Sequence, residues 1–154
     1  MSIEEDIELL ERVPSLRLLG RDALRILAIG AESRYIHDGT ALFNEGEDAE
    51  SAYLVQVGSF DLVAAKSKLA ASVAGPGTLI GEVALITESK RLTSAVAREP
   101  SSVARITRQL FLKMLEGYPD AARRMRDAMV SRVGQTAADL SRVRNTLVHG
   151  PTRR

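Results

Sequence analysis

The chain has 154 residues, 45% apolar and 27% charged, with no cysteine and two histidines. That describes one soluble domain with a real core, and it excludes disulfide scaffolds, cysteine-bound zinc, thiol catalysis and iron–sulfur clusters. The formal net charge of +1 hides a division: residues 1–107 carry 11 Lys and Arg against 16 Asp and Glu, and residues 108–154 carry 10 against 4, so a basic C-terminal part follows an acidic body. His37 and His149 cannot build a histidine-rich metal site. No apolar run reaches the roughly 20 residues of a membrane span, and the start MSIEEDIELLERV lacks the basic flank and apolar stretch of a secretory signal. The absence of cysteine fits a cytoplasmic location.

Ser2 with Glu5 forms the S-x-x-E pattern of a capping box before Ile3, Ile7, Leu9 and Leu10. A short helix is expected to run to Val13 and to be ended by Pro14. Leu24, Leu27 and Ala28 at helical spacing predict a second helix from Arg21 to Ile29, capped by Gly30.

From Arg34 to Thr107 the chain breaks into short β-forming pieces. Asp38-Gly39 between Tyr35-Ile36 and Ala41-Leu42-Phe43 signals a hairpin. Tyr53, Val55 and Val57 alternate with Leu54 and Gln56, and Gly58-Ser59 offers a turn into the next strand at 60–63. Leu69 to Ala74 closes at Gly75-Pro76-Gly77, and Leu92 to Arg98 and Ser102 to Ile106 are the last strands. Seven or eight such strands predict a jelly-roll-like barrel or roll. One helical turn, Gly81 to Ile86, interrupts them.

Helix returns after Thr107, first from Arg108 to Glu116 and then from Asp120 to about Leu147, with Pro119 as a natural first residue. Met129, Val133, Thr136, Leu140, Val143 and Leu147 form an a/d seam that either packs on the roll or pairs two copies of the chain as a homodimer. The expected fold is therefore mainly β with flanking α-helices: one domain over 1–148, with N-terminal helices at 1–33, a jelly-roll-like β-roll (a double-stranded β-helix) at 34–107 and C-terminal helices at 108–148. A flexible tail at 149–154 follows.

The interrupting segment, residues 80–97, carries the chemistry. Gly81 lets backbone approach a ligand closely, and the turn after it presents N–H groups suited to an anion. Arg91 can hold a phosphate in two-point fashion, with Lys90 beside it and hydroxyls at Thr93 and Ser94. Glu82 can accept a hydrogen bond from a sugar hydroxyl. The competing reading is a structural Glu82–Arg91 pair and an empty site.

The order of these motifs resembles the cyclic nucleotide-binding domain family. YIHDGTALFNEGEDAESAYLVQVGSFDLV is similar to the family's opening strands, and GPGTLIGEVALITESKRLTSAVA to its phosphate-binding cassette, here at 80–97. The resemblance implies that Glu82 accepts the ribose 2′-hydroxyl, that backbone at Gly81, Val83 and Ala84 faces ribose and cyclic phosphate, and that Arg91 neutralises the phosphate with help from the Leu92 N–H. Gln135 and Thr136 on the last helix become candidate base contacts. Two residues depart from the family pattern: Leu92 replaces a small or hydroxyl residue after the arginine, and Lys90 replaces a proline before it. Position 92 thus has no hydroxyl to favour cGMP, which tilts the expectation toward cAMP; Thr93 is the nearest substitute.

The resemblance implies a stand-alone sensor, not an enzyme, that signals through its C-terminal helices to an unknown protein partner. DNA binding is not expected, because the chain leaves no room for a helix-turn-helix module after the long helix. Two alternatives stand beside it. One is a degenerate fold serving as a ligand-free dimerisation or interaction module. The other is a cupin-like enzyme, for which one histidine in the roll supplies too few metal ligands.

Overall fold

The computed structural model describes residues 2–64 and 70–128. Three helices lead: α1 (Ile3–Glu11), α2 (Pro14–Arg17) and α3 (Arg21–Gly30). Both halves of the Ser2–Glu5 capping box are formed at the start of α1. Pro14 does more than end α1; it opens α2, where its missing N–H costs no helical bond. Gly30 is the last residue of α3 and not its cap, because the Ala31 N–H still bonds to the Leu27 carbonyl at 2.9 Å. The Leu110 side chain fills the space a Cβ would need at Gly30.

Ten strands follow among the described residues: β1 (Glu32–Ile36), β2 (Ala41–Phe43), β3 (Asp48–Ala49), β4 (Ser51–Val57), β5 (Phe60–Val63), β6 (Ala70–Ala74), β7 (Leu79–Ile80), β8 (Ser89–Lys90), β9 (Ser94–Ala97) and β10 (Ser101–Thr107). They make two antiparallel four-stranded sheets, ordered β1-β10-β4-β7 and β2-β9-β5-β6, and a β3-β8 ribbon. This is the β-roll expected from the strand spacing.

The hairpin expected at Asp38-Gly39 is not formed. The turn exists, with the Thr40 N–H on the His37 carbonyl at 3.0 Å, but β1 pairs with β10 and β2 with β9. An Asp-Gly pair reverses the chain without choosing the strand's partner. Here the Gly39 N–H bonds to the Ala97 carbonyl of β9 at 2.8 Å, so the turn carries the chain from one sheet to the other. The last strands also differ from expectation: β9 begins at Ser94, leaving Leu92 and Thr93 in the approach to it.

Sheet faces explain the composition of β4, buried at every position but Val57. Tyr53 and Val55 point into the roll with Phe43, Phe60, Ile80 and Val103. Ala52 and Leu54 point outward into a second core with Ile7, Leu24, Leu27 and Phe111. Gln56 follows them outward, where its Nε2 donates to the buried Asp6 of α1 at 2.8 Å. A strand covered on both faces loses the polar alternation of a half-exposed one.

Helix α4 (Arg108–Gly117) starts at Thr107, whose Oγ1 accepts from the Leu110 N–H at 3.1 Å. Thr107→Ala is expected to cost about 1 kcal/mol, lowering the melting temperature by roughly 2–4 °C in a chain of this size; a thermal melt checks this. Residues 119–128 are helical, with Ala121 and Met125 in the outer core. The a/d seam from Met129 onward, Gln135, Thr136, His149 and the expected tail lie outside the described residues, as does Leu69. No helix among the described residues is long and apolar enough to cross a membrane.

Candidate functional site

The segment between β7 and β9 is shaped by one glycine and two arginines. Gly81 adopts φ +77°, in the left-handed region, and turns the chain out of β7 into a 3-10 turn, Glu82–Leu85. The Ala84 N–H closes that turn on the Gly81 carbonyl at 3.1 Å. Ala84 and Leu85 are buried, Leu85 in the outer core with the helices, while Glu82 and Val83 are exposed.

Arg108, the first residue of α4, holds the turn from below. Its Nε donates to the Ala84 carbonyl at 2.7 Å and its Nη2 to the Ala49 carbonyl at 2.6 Å. The cassette turn, the β3–β8 ribbon and the C-terminal helical layer are therefore joined through one guanidinium.

The ribbon then aims Arg91. Lys90 pairs with Asp48 across it, and that hydrogen bond, with the lysine charge behind it, holds the Asp48 carboxyl below its ordinary pKa. The Arg91 N–H bonds to the Glu47 carbonyl and the Arg91 carbonyl accepts from the Gly46 N–H, both at 2.8 Å. With its backbone fixed on both sides, Arg91 turns its side chain into the roll, leaving 7% of the residue exposed.

Inside, the guanidinium carbon lies 4.1 Å from the Phe43 ring centroid and 5.7 Å from that of Tyr53. Such stacking stabilises a cation by about 0.5–2 kcal/mol. Nη2 donates to the Ser51 carbonyl at 2.8 Å. Nε and Nη1 are buried with no hydrogen-bond partner among the described residues. Burial pulls the guanidinium pKa below its ordinary value, only partly countered by the Tyr53 hydroxyl and Glu47. Arginine starts so far above neutrality that it keeps its charge. A buried cation with idle donors is costly by itself, and an anion bonded to either nitrogen would offset part of that cost.

Arg91 lines a mostly apolar cavity of about 280 Å³, just below the usual range for small-molecule sites. Of the residues singled out from sequence, Gly81, Val83, Ala84, Arg91, Leu92 and Thr93 line it. Leu92 is 84% exposed and forms part of the rim. Glu82 and Ser94 are not in the lining. The Ser94 Oγ accepts from the Glu45 N–H at 2.8 Å, and Glu82 accepts from Ser15 Oγ of α2 at 2.6 Å. Glu82 and Arg91 thus have different partners, and the structural pair that would leave an empty site is not formed.

Sequence reasoning did not find Phe43, Tyr53, the Ser51 carbonyl, Arg108 or Ser15. The three that meet Arg91 lie 38 to 48 positions before it, on β2 and β4, and only the sheet pairing brings them there. Arg108 carried one legible signal, as the first basic residue after the strands end.

Comparison with known proteins agrees with the geometry. The family profile described as "Cyclic nucleotide-binding domain" matches residues 33–118. A solved cyclic nucleotide-binding-like protein from Brucella abortus is 37% identical, with a TM-score of 0.65 over 72% of this chain and 97% of that one. An uncharacterised NTE family protein of Mycobacterium tuberculosis is 32% identical over 82% of this chain, which spans 22% of that relative's length. A cAMP-dependent protein kinase regulatory subunit of Yarrowia lipolytica is 29% identical over 69% of this chain and 28% of its own. The profile covers more than half the chain and includes the β-roll, the 3-10 turn and the buried arginine, so the chain belongs to the cyclic nucleotide-binding domain family.

Proposed function

We propose that this chain is a non-catalytic regulator that binds a cyclic nucleotide, cAMP in preference to cGMP, in the cavity beside Arg91. The observation that carries the reading is the buried guanidinium of Arg91, which lines the cavity, stacks on Phe43 and has two nitrogens without a partner among the described residues. The cyclic phosphate accepts from the Arg91 guanidinium, with the Leu92 N–H assisting. The turn at Gly81, Val83 and Ala84 lies against ribose and phosphate, and Glu82 takes the ribose 2′-hydroxyl. Thr93 is the hydroxyl nearest the phosphate, since Ser94 is engaged by Glu45. Gln135 and Thr136 remain the candidate base contacts.

The preference for cAMP rests on the apolar side chain at position 92 and on likeness to a regulatory subunit whose name specifies cAMP dependence. Occupancy is read out through Arg108, which ties the cassette turn to α4 and so to the C-terminal helices. Those helices pass the signal to a protein partner or to a second copy of the chain, in the cytoplasm.

A ligand that binds only the folded state stabilises it by about 2.7 kcal/mol at a hundredfold excess over its Kd. Saturating cAMP is therefore expected to raise the melting temperature by roughly 5–10 °C, and cGMP at equal concentration by less. No shift with millimolar cAMP, cGMP or a cyclic dinucleotide would refute the reading in favour of a ligand-free interaction module.

A further inference from the structure

Ser15 has no part in the proposed nucleotide pocket, yet it holds one of that pocket's proposed ligands. Its Oγ donates to Glu82 Oε2 at 2.6 Å, across 67 positions of sequence. Ser15 is 8% exposed, held on α2 among Val13, Leu16 and Leu19 of the outer core. The contact draws the Glu82 carboxylate toward the N-terminal helices, and Glu82 is absent from the lining of the Arg91 cavity. The same 3-10 turn that carries Glu82 packs Leu85 into that outer core. Held by Ser15, the carboxylate stays outside the cavity lining, so to meet a ribose there it must turn away from Ser15.

We infer that Ser15 sets the affinity of the site for ribose-bearing nucleotides, and its discrimination against 2′-deoxy ligands, by competing with the ribose 2′-hydroxyl for the Glu82 carboxylate. This rests on the nucleotide-binding reading above and extends it to a residue outside the pocket. In the ligand-free protein the hydroxyl of Ser15 bonds Oε2 and holds the carboxylate away from the cavity. Binding of cAMP exchanges one hydroxyl donor for another, so the ribose contact yields little net gain. A ligand without the 2′-hydroxyl leaves Ser15 and Glu82 joined. The exchange also frees α2 from the cassette, so ribose recognition reaches the N-terminal helices.

The test is a titration of wild type and Ser15→Ala with cAMP and with 2′-deoxy-cAMP. In wild type the two ligands are expected to bind within about threefold of each other, since one hydrogen bond replaces another. In Ser15→Ala the exposed Glu82 has no protein competitor, so cAMP should bind about tenfold more tightly while 2′-deoxy-cAMP is unchanged. A merely structural Ser15 would shift both ligands alike or neither, and either result overturns the inference. Failure of Ser15→Ala to bind cAMP when wild type binds it also overturns it. Failure of wild type to bind either ligand refutes the nucleotide reading itself, and this inference with it.

A second readout needs no variant. Backbone hydrogen exchange at 15–18 in wild type should speed up with cAMP and stay unchanged with 2′-deoxy-cAMP. The same response to both ligands would contradict the exchange.

Discussion

Arg91→Met is expected to abolish cyclic-nucleotide binding and to raise the melting temperature of the ligand-free protein. The first effect follows from removing the only buried cation that lines the cavity among the described residues. Losing one member of a buried charge pair typically weakens binding by about 2–5 kcal/mol. The second follows from the cost of the ligand-free state, in which Nε and Nη1 are buried without partners among the described residues. Each unsatisfied donor costs about 1–3 kcal/mol, while the Ser51 bond and the Phe43 stack return part of that. Apolar replacement of buried charge is often stabilising. A net gain of about 1 kcal/mol, or roughly 2–4 °C, is expected for methionine, which keeps most of the length and fills the space beside Phe43. The opposing directions separate a binding residue from a structural one. If Arg91 were there to hold the roll together, Arg91→Met would lower the melting temperature.

Gly81→Ala should harm binding more than folding. The φ of +77° penalises any Cβ by roughly 1–2 kcal/mol, a loss a urea melt can resolve. That Cβ would also fall well inside contact distance of Arg91 Nη1. The backbone cannot yield, because Gly81 connects β7 to a turn pinned by Arg108 and by Leu85. The guanidinium must move instead, and Nη1 is displaced from its place beside Gly81. A lost charge-assisted hydrogen bond corresponds to about 10- to 100-fold in affinity, measurable by calorimetric titration. Unchanged cAMP affinity in a folded Gly81→Ala would show that Nη1 has no role in holding phosphate.

The parts of the fold that were legible in the sequence are those set by local rules. The capping box at Ser2, the short strands, the 3-10 turn after Gly81 and the helix after Thr107 each follow from residues within a few positions of one another. The strand partners were not legible. Asp38-Gly39 reads as a hairpin because turn chemistry is local, whereas the choice of β9 over β1 as partner of β2 depends on closing a roll from both sheets.

The site divides along the same line. Arg91 was singled out through the resemblance of residues 80–97 to a phosphate-binding cassette, and the structure buries its side chain. Its aromatic support and the Ser15 hydroxyl on Glu82 were not, since each contact joins positions dozens of residues apart. The placement of Glu82 outside the cavity shows the limit most clearly. A motif fixes where its backbone goes, while a carboxylate in it bonds to whichever donor the neighbouring layer supplies.

The account depends on what meets the idle Nε and Nη1 of Arg91, and a structure of the protein with bound cAMP tests that directly. The account predicts a phosphate oxygen at hydrogen-bonding distance, about 2.7–2.9 Å, from Nε or Nη1, with the guanidinium still stacked on Phe43. A nucleotide bound elsewhere, or an Arg91 turned out to solvent with the phosphate held by other groups, would contradict it.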